Sequence, residues 1–281
     1  MKYIIQIFLG ICLLLILPLF VGEDLKTELR GSGIVIITTL IIAEGLYDIV
    51  KNRKRLRLVI YCSWLSIKGK HIRFSMSYLY RIKINDKYLL VKNSNWNHYQ
   101  LVGGKYKRNI YTQQILKSME ATDDLKLRTT GLMRDDLAVF IPAKNAIKFI
   151  DWFSTKQDRE ISHWREFYEE LIEGKANILP QKKFPYANYN FMGSVITPIK
   201  KSPSCGWDCY EILQYDILDL LPTEEQQREL EILFESGDTD YIKWADEDLI
   251  NNLGHDNRIK KPLYSIGAHT KWALNMKWSR S

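Results

Sequence analysis

Residues 161–174 read Ile-Ser-His-Trp-Arg-Glu-Phe-Tyr-Glu-Glu-Leu-Ile-Glu-Gly. Wound as a helix at about 100° per residue, Ile161, Trp164, Phe167, Tyr168, Leu171 and Ile172 share one apolar side. Glu166, Glu169, Glu170 and Glu173 share the other, and Gly174 stands where a helix stops. Carboxylates at i, i+3, i+4 and i+7 repel one another. A bound cation relieves that repulsion, and oxygen ligands suit Mg²⁺ or Mn²⁺. The plain alternative is a solvated acidic face screened by water and salt.

A second candidate lies upstream. Gly103 and Gly104 are followed by Lys105, Tyr106, Lys107 and Arg108. A glycine pair in a turn lets backbone N–H groups approach an anion, and Lys105, Lys107 and Arg108 would attract phosphate. Tyr106 and Tyr111 offer ring faces for a base. An ordinary basic surface loop is the competing reading. The five histidines, His71, His98, His163, His255 and His269, are scattered, without metal-ligand spacing. Cys12, Cys62, Cys205 and Cys209 form no zinc pattern and are expected as free thiols in a reducing compartment.

The elements that position these groups can be read from pattern. The chain has 281 residues, 46% hydrophobic and 12% aromatic, so a packed core is readily supplied. Its net charge is +7, too modest to argue for binding a nucleic acid polymer. Residues 78–84 and 87–92 alternate around Asn85-Asp86, a hairpin signature. Residues 96–102 read as a third strand ending at Gly103-Gly104. Strands are expected at 137–141, 192–198, 207–216 and 241–245. Helices are expected at 143–154, from Pro222 to Phe234, at 246–251 and at 266–274.

The amino terminus carries two apolar runs. Residues 4–21 hold no charge, about the length needed to cross a bilayer core. Residues 34–50 form the second run, and 51–57 follow with five positive charges. The positive-inside rule places that cluster and both chain ends in the cytoplasm. The expectation is a transmembrane hairpin within residues 1–57 and a cytosolic domain over 58–281.

Arg165-Glu166-Phe-Tyr-Glu169-Glu170 fits the core of the Nudix box, so this region resembles a Nudix hydrolase domain. The opening hairpin, the strand running into Gly103-Gly104 and the closing strand and acidic helix at 241–251 follow the same order. The resemblance implies that Glu166, Glu169 and Glu170 take metal positions, with Glu169 and Glu170 catalytic if hydrolysis is retained, and that Arg165 takes a supporting ion-pair position. Gly103, Gly104, Lys105, Lys107 and Arg108 remain candidates for holding a ligand on their own chemistry, since the family commonly has acidic residues where Lys105-Tyr-Lys-Arg108 stand. The chain departs from the pattern in several places. Arg165 follows Gly104 by 61 residues, which implies an insertion over about 106–157. The box's early glutamate falls at Gln157, with Glu160 the nearest substitute. Its late glycine falls at Ile172.

A two-helix hairpin joined to an atypical Nudix-like domain resembles the SMODS-associated Nudix family, membrane effectors of CBASS anti-phage systems. The fold class this implies is α+β: a transmembrane hairpin followed by a Nudix-like α/β/α sandwich with a long insertion. The implied function is sensing of a cyclic oligonucleotide made by a partner nucleotidyltransferase (CD-NTase). The implied consequence is disruption of the bacterial inner membrane by a homo-oligomer in contact with the lipid bilayer. A membrane-anchored, metal-dependent hydrolase of nucleoside diphosphate derivatives is the rival.

Overall fold

A computed structural model describes residues 53–94, 96–124, 135–173, 177–201 and 209–279, with a few isolated positions before residue 53. It divides into two compact units, Met1–Tyr61 and Cys62–Ser281. The boundary falls within helix α1, Arg53–Ile67.

In the second unit the sheet is built on one strand. β1, His71–Arg81, is buried over nearly its whole length, as a strand flanked on both edges and covered on both faces must be. Along one edge it runs parallel to β9, Tyr210–Leu221, from Ile72↔Tyr210 to Arg81↔Asp219. The other edge is shared. Residues 71–75 pair with β6, Ala138–Pro142, and residues 77–80 pair with β4, Tyr99–Lys105, both antiparallel. The sheet therefore forks at Met76, whose N–H and C=O bond to Leu137 and Tyr106. β4 continues through β3, Lys87–Lys92, to β10, Ile242–Ala245; β5, Thr122–Asp123, lies outside β6, and β7, Asn188–Ile196, and β8, Lys200–Lys201, lie outside β9.

Asn85 and Asp86 have φ of 46° and 64° between β2, Lys83–Ile84, and β3. Two consecutive left-handed residues match the twist of a tight hairpin. The even residues of β1 face two helices. Phe74 meets Phe149 of α3, Ala146–Ser154, and Tyr80 meets Phe167 of α4, Trp164–Leu171. Leu79 on the opposite face joins a core with Leu90, Leu101, Ile217, Ile250 and Trp272. That core brings in α6, Glu247–Asn251, and α7, Ala268–Asn275. The remaining helices are α2, Ile110–Ser118, with an Asn109–Thr112 capping box, and α5, Glu224–Glu235, capped by Thr223.

Three expectations are corrected. The chain is α+β with a mixed sheet, and no helix among the described residues is long and apolar enough to cross a membrane. The transmembrane hairpin, and with it the inner-membrane location, is withdrawn; the apolar runs that suggested it lie almost wholly outside the described residues. Gly103 and Gly104 do not form a turn. They sit inside β4, paired with Leu79 and Tyr78, and the strand ends at Lys105. Cys62 is free and buried, but Cys209 is disulfide-bonded. Within 106–157, the stretch expected as an insertion relative to the family pattern, residues 138–142 form β6 of the sheet.

Candidate functional site

The acidic helix lies across β4, and its four glutamates do not share one environment. Glu166 and Glu170, one turn apart, point at the strand, and Glu169 points outward with 43% of its side chain exposed. The split follows from register: residues i and i+4 share a line on a helix, and that line rests on consecutive glycines. The Gly103 N–H donates to Glu170 Oε2 at 2.8 Å. A Cβ on Gly104 would lie 2.2 Å from the Glu166 carboxyl carbon. A Cβ on Gly103 would lie 2.2 Å from the Tyr78 carbonyl oxygen, and Gly103 has φ +140°. Both glycines are required by close approach, one to a carboxylate and one to backbone.

Arg165 fills the space among the acids. Its Nε donates to Glu160 at 3.0 Å, and Nη1 donates to Glu166 at 2.7 Å and Glu169 at 3.1 Å. Nη2 donates to the Lys105 carbonyl at 2.7 Å. Glu160 Oε2 also accepts the Lys107 N–H at 2.6 Å. Glu160 thus takes the ion-pair role that the sequence pattern puts at Gln157, and it ties the basic segment to the acidic helix. These charge-assisted bonds hold Arg165 above its ordinary value although burial opposes its charge.

The carboxyl groups respond to enclosure. Burial, then the neighbouring Glu166 charge, holds Glu170 well above the usual carboxylate range, against the Gly103 hydrogen bond. Burial also raises Glu166, against the pull of Arg165. Burial, then the charge of Glu166, raises Tyr78, whose hydroxyl oxygen accepts the Glu166 N–H at 3.3 Å.

The basic segment adjoins this cluster. Lys107 pairs with Asp136 at 2.6 Å and Lys105 with the same carboxylate at 3.5 Å, while Arg108 pairs with Asp123. Lys105 and Lys107 thus converge on one aspartate beside the strand. Tyr106 turns inward and is fully buried; Tyr111 is 65% exposed. Sequence reasoning missed Asp136 and Asp123, because nothing local ties an aspartate to a lysine about thirty residues away.

It also missed a buried polar chain at the start of α4. Tyr106 Oη donates to Asp216 at 2.6 Å and lies 2.8 Å from His163 Nε2. His163 Nδ1 lies 2.8 Å from Tyr189 Oη. Ser194 Oγ donates to the other Asp216 oxygen at 2.6 Å. The order that satisfies every donor is Tyr189 O–H to Nδ1, Nε2–H to the Tyr106 oxygen, and Tyr106 O–H to Asp216. Burial lowers His163 to about 4, so the ring is neutral. The five residues come from β7, β9, the loop after β4 and the helix entry, which no spacing in sequence reveals.

The site is an i, i+4 carboxylate pair set on a glycine pair in a strand, with an arginine clamped by an upstream glutamate. The family described as SMODS-associated NUDIX domain matches residues 71–274, and the chain belongs to that family. No curated protein and no solved structure matches the chain.

Nudix domains generally use divalent metals. Among the described residues, no group of three or more His, Cys, Asp or Glu is arranged to hold one. The reason is visible in the contacts. Arg165 takes oxygens of Glu166 and Glu169, and Glu170 is turned to the Gly103 N–H. In this arrangement one oxygen of each of Glu166, Glu169 and Glu170 is engaged within the chain.

Proposed function

We propose that this domain recognises a cyclic oligonucleotide second messenger, the product of a partner nucleotidyltransferase, as part of a CBASS antiviral response, and holds it without cleaving it. The observation that carries the reading is the position of Arg165. The positive charge demanded by the acidic helix is supplied from within the chain, so Glu166 and Glu169 are engaged by a guanidinium. Binding then falls to the neighbouring strand end and basic segment. Lys105, Lys107 and Arg108 supply charge for a phosphodiester. Asp136 and Asp123 hold those cations in place and would be displaced in part by ligand phosphate.

Calorimetry on the purified chain with a panel of cyclic di- and trinucleotides tests this. One member should bind in the micromolar range or tighter. Lys105→Glu with Lys107→Glu should weaken it by at least about tenfold, the scale of one lost charge-assisted hydrogen bond. Absence of binding across the panel sinks the proposal. Turnover of a nucleoside diphosphate derivative that Glu170→Gln abolishes would favour the hydrolase instead.

A further inference from the structure

α4 is only eight residues long, and its inward carboxylates meet two particular glycines of β4. Phe167, packed against Tyr80 and Phe184, holds the helix to the sheet. Apolar contact is non-directional and tolerates a slide or a turn of the helix; hydrogen bonds are directional and do not. His163, just before the first turn, makes no capping bond with its side chain. Instead the ring reaches into the sheet. Nδ1 lies 2.8 Å from Tyr189 Oη on β7, and Nε2 lies 2.8 Å from Tyr106 Oη. Tyr106 donates in turn to Asp216 on β9 at 2.6 Å. The rings of Tyr78, Tyr106 and Tyr189 meet the imidazole edge-on, with centroids 4.9, 5.6 and 4.9 Å away. Tyr78 is the β1 residue opposite Gly104, and its hydroxyl oxygen accepts the Glu166 N–H.

We propose that His163 is a positioning residue: its imidazole, bonded through Tyr106 to Asp216 and through Tyr189 to β7, fixes where α4 sits on β4, and so brings Glu166 and Glu170 onto Gly104 and Gly103. The ring suits this task. A neutral imidazole has one donor and one acceptor nitrogen, and both are engaged. The side chain turns about χ1 and χ2 only, so it cannot follow a shifted helix as the longer Arg165 side chain can. Tyr106 serves twice, because its backbone N–H and C=O bond to Met76 and Leu137 at the fork of the sheet. The reference point for the acidic helix is therefore the fork itself, whatever the domain binds.

Amide hydrogen exchange on the purified full chain is the test, because the Gly103 N–H reports the seating through its bond to Glu170. Its rate is read against the amides of β9, which lies between β1 and β7 and follows global stability. Tyr106→Phe and His163→Ala should each speed exchange at Gly103 at least about tenfold more than at β9. His163→Gln, which keeps a donor and an acceptor, should recover part of the difference. Ser194→Ala removes a bond to Asp216 without touching His163, and should move Gly103 and β9 together. Nitrogen NMR should find the His163 proton on Nε2. Gly103 tracking β9 in both Tyr106→Phe and His163→Ala overturns the proposal. So does a ring protonated on Nδ1, or a Gly103 response to Ser194→Ala as large as that to Tyr106→Phe.

Discussion

At the residue scale, Arg165 carries the site. One guanidinium serves Glu160, Glu166 and Glu169, and its Nη2 is shared between the Lys105 carbonyl and Glu160. Arg165→Gln strands two enclosed carboxyl groups. It should cost about 2–3 kcal/mol, below the 3–5 typical of a fully buried pair because part of the cluster reaches water; urea unfolding measures it. Glu170 gives a pH signature. Its folded value lies above the ordinary 4.5, so the native state binds its proton more tightly than the unfolded chain. Stability from this group is present below 4.5 and is lost as pH rises through the folded value. Glu170→Gln keeps an acceptor for Gly103 and should remove that slope, raising Tm at neutral pH by a few degrees, where about 2–4 °C corresponds to 1 kcal/mol. His163 and His269 act oppositely. Burial lowers both to about 4 from 6.5, so stability falls as pH drops from 6.5 toward 4. His163→Gln should flatten part of that fall. An unchanged pH profile in either variant contradicts the assigned environment.

At the element scale, the close seating of α4 on β4 makes the two glycines unequal. Gly103→Ala meets backbone and a positive φ, and neither can yield without moving β1. Gly104→Ala meets the end of a side chain. The first should cost about 3 kcal/mol or more and the second less, and the second should also displace Glu166 from Arg165. Thermal unfolding of the pair checks the order. Much of this element-level geometry was legible beforehand. The alternation around Asn85-Asp86, the apolar side of residues 164–172 and the glycine pair each reflect a local rule of backbone or periodicity. The seating was not. Whether a glycine pair makes a turn or a strand depends on the partner strand, and β1 pairs with β4 from more than twenty residues away. The split of the glutamates into inward and outward pairs depended on where the helix would rest. Ile161, grouped with the apolar side, is 63% exposed because α4 begins only at Trp164.

At the scale of the whole molecule, the forked sheet explains why distant segments share one site. β1 lends one edge to β4 and β6 together, so the basic segment after β4 comes to lie beside Asp136, just before β6, and under the entry of α4. The family assignment covers this unit, residues 71–274. The amino-terminal runs pointed to a membrane on hydropathy and on the charge cluster that follows them, signals that concern composition and not contacts; no helix among the described residues sustains it. What remains is a domain whose acidic helix is paired in part by its own arginine, beside a strand end where lysines and an arginine are held by aspartates. The most direct test is to incubate the purified chain with its best-binding cyclic oligonucleotide and Mg²⁺, then recover the ligand and weigh it by mass spectrometry. The account predicts intact ligand after many dissociation lifetimes; linear or shortened products that disappear in Glu170→Gln would contradict it.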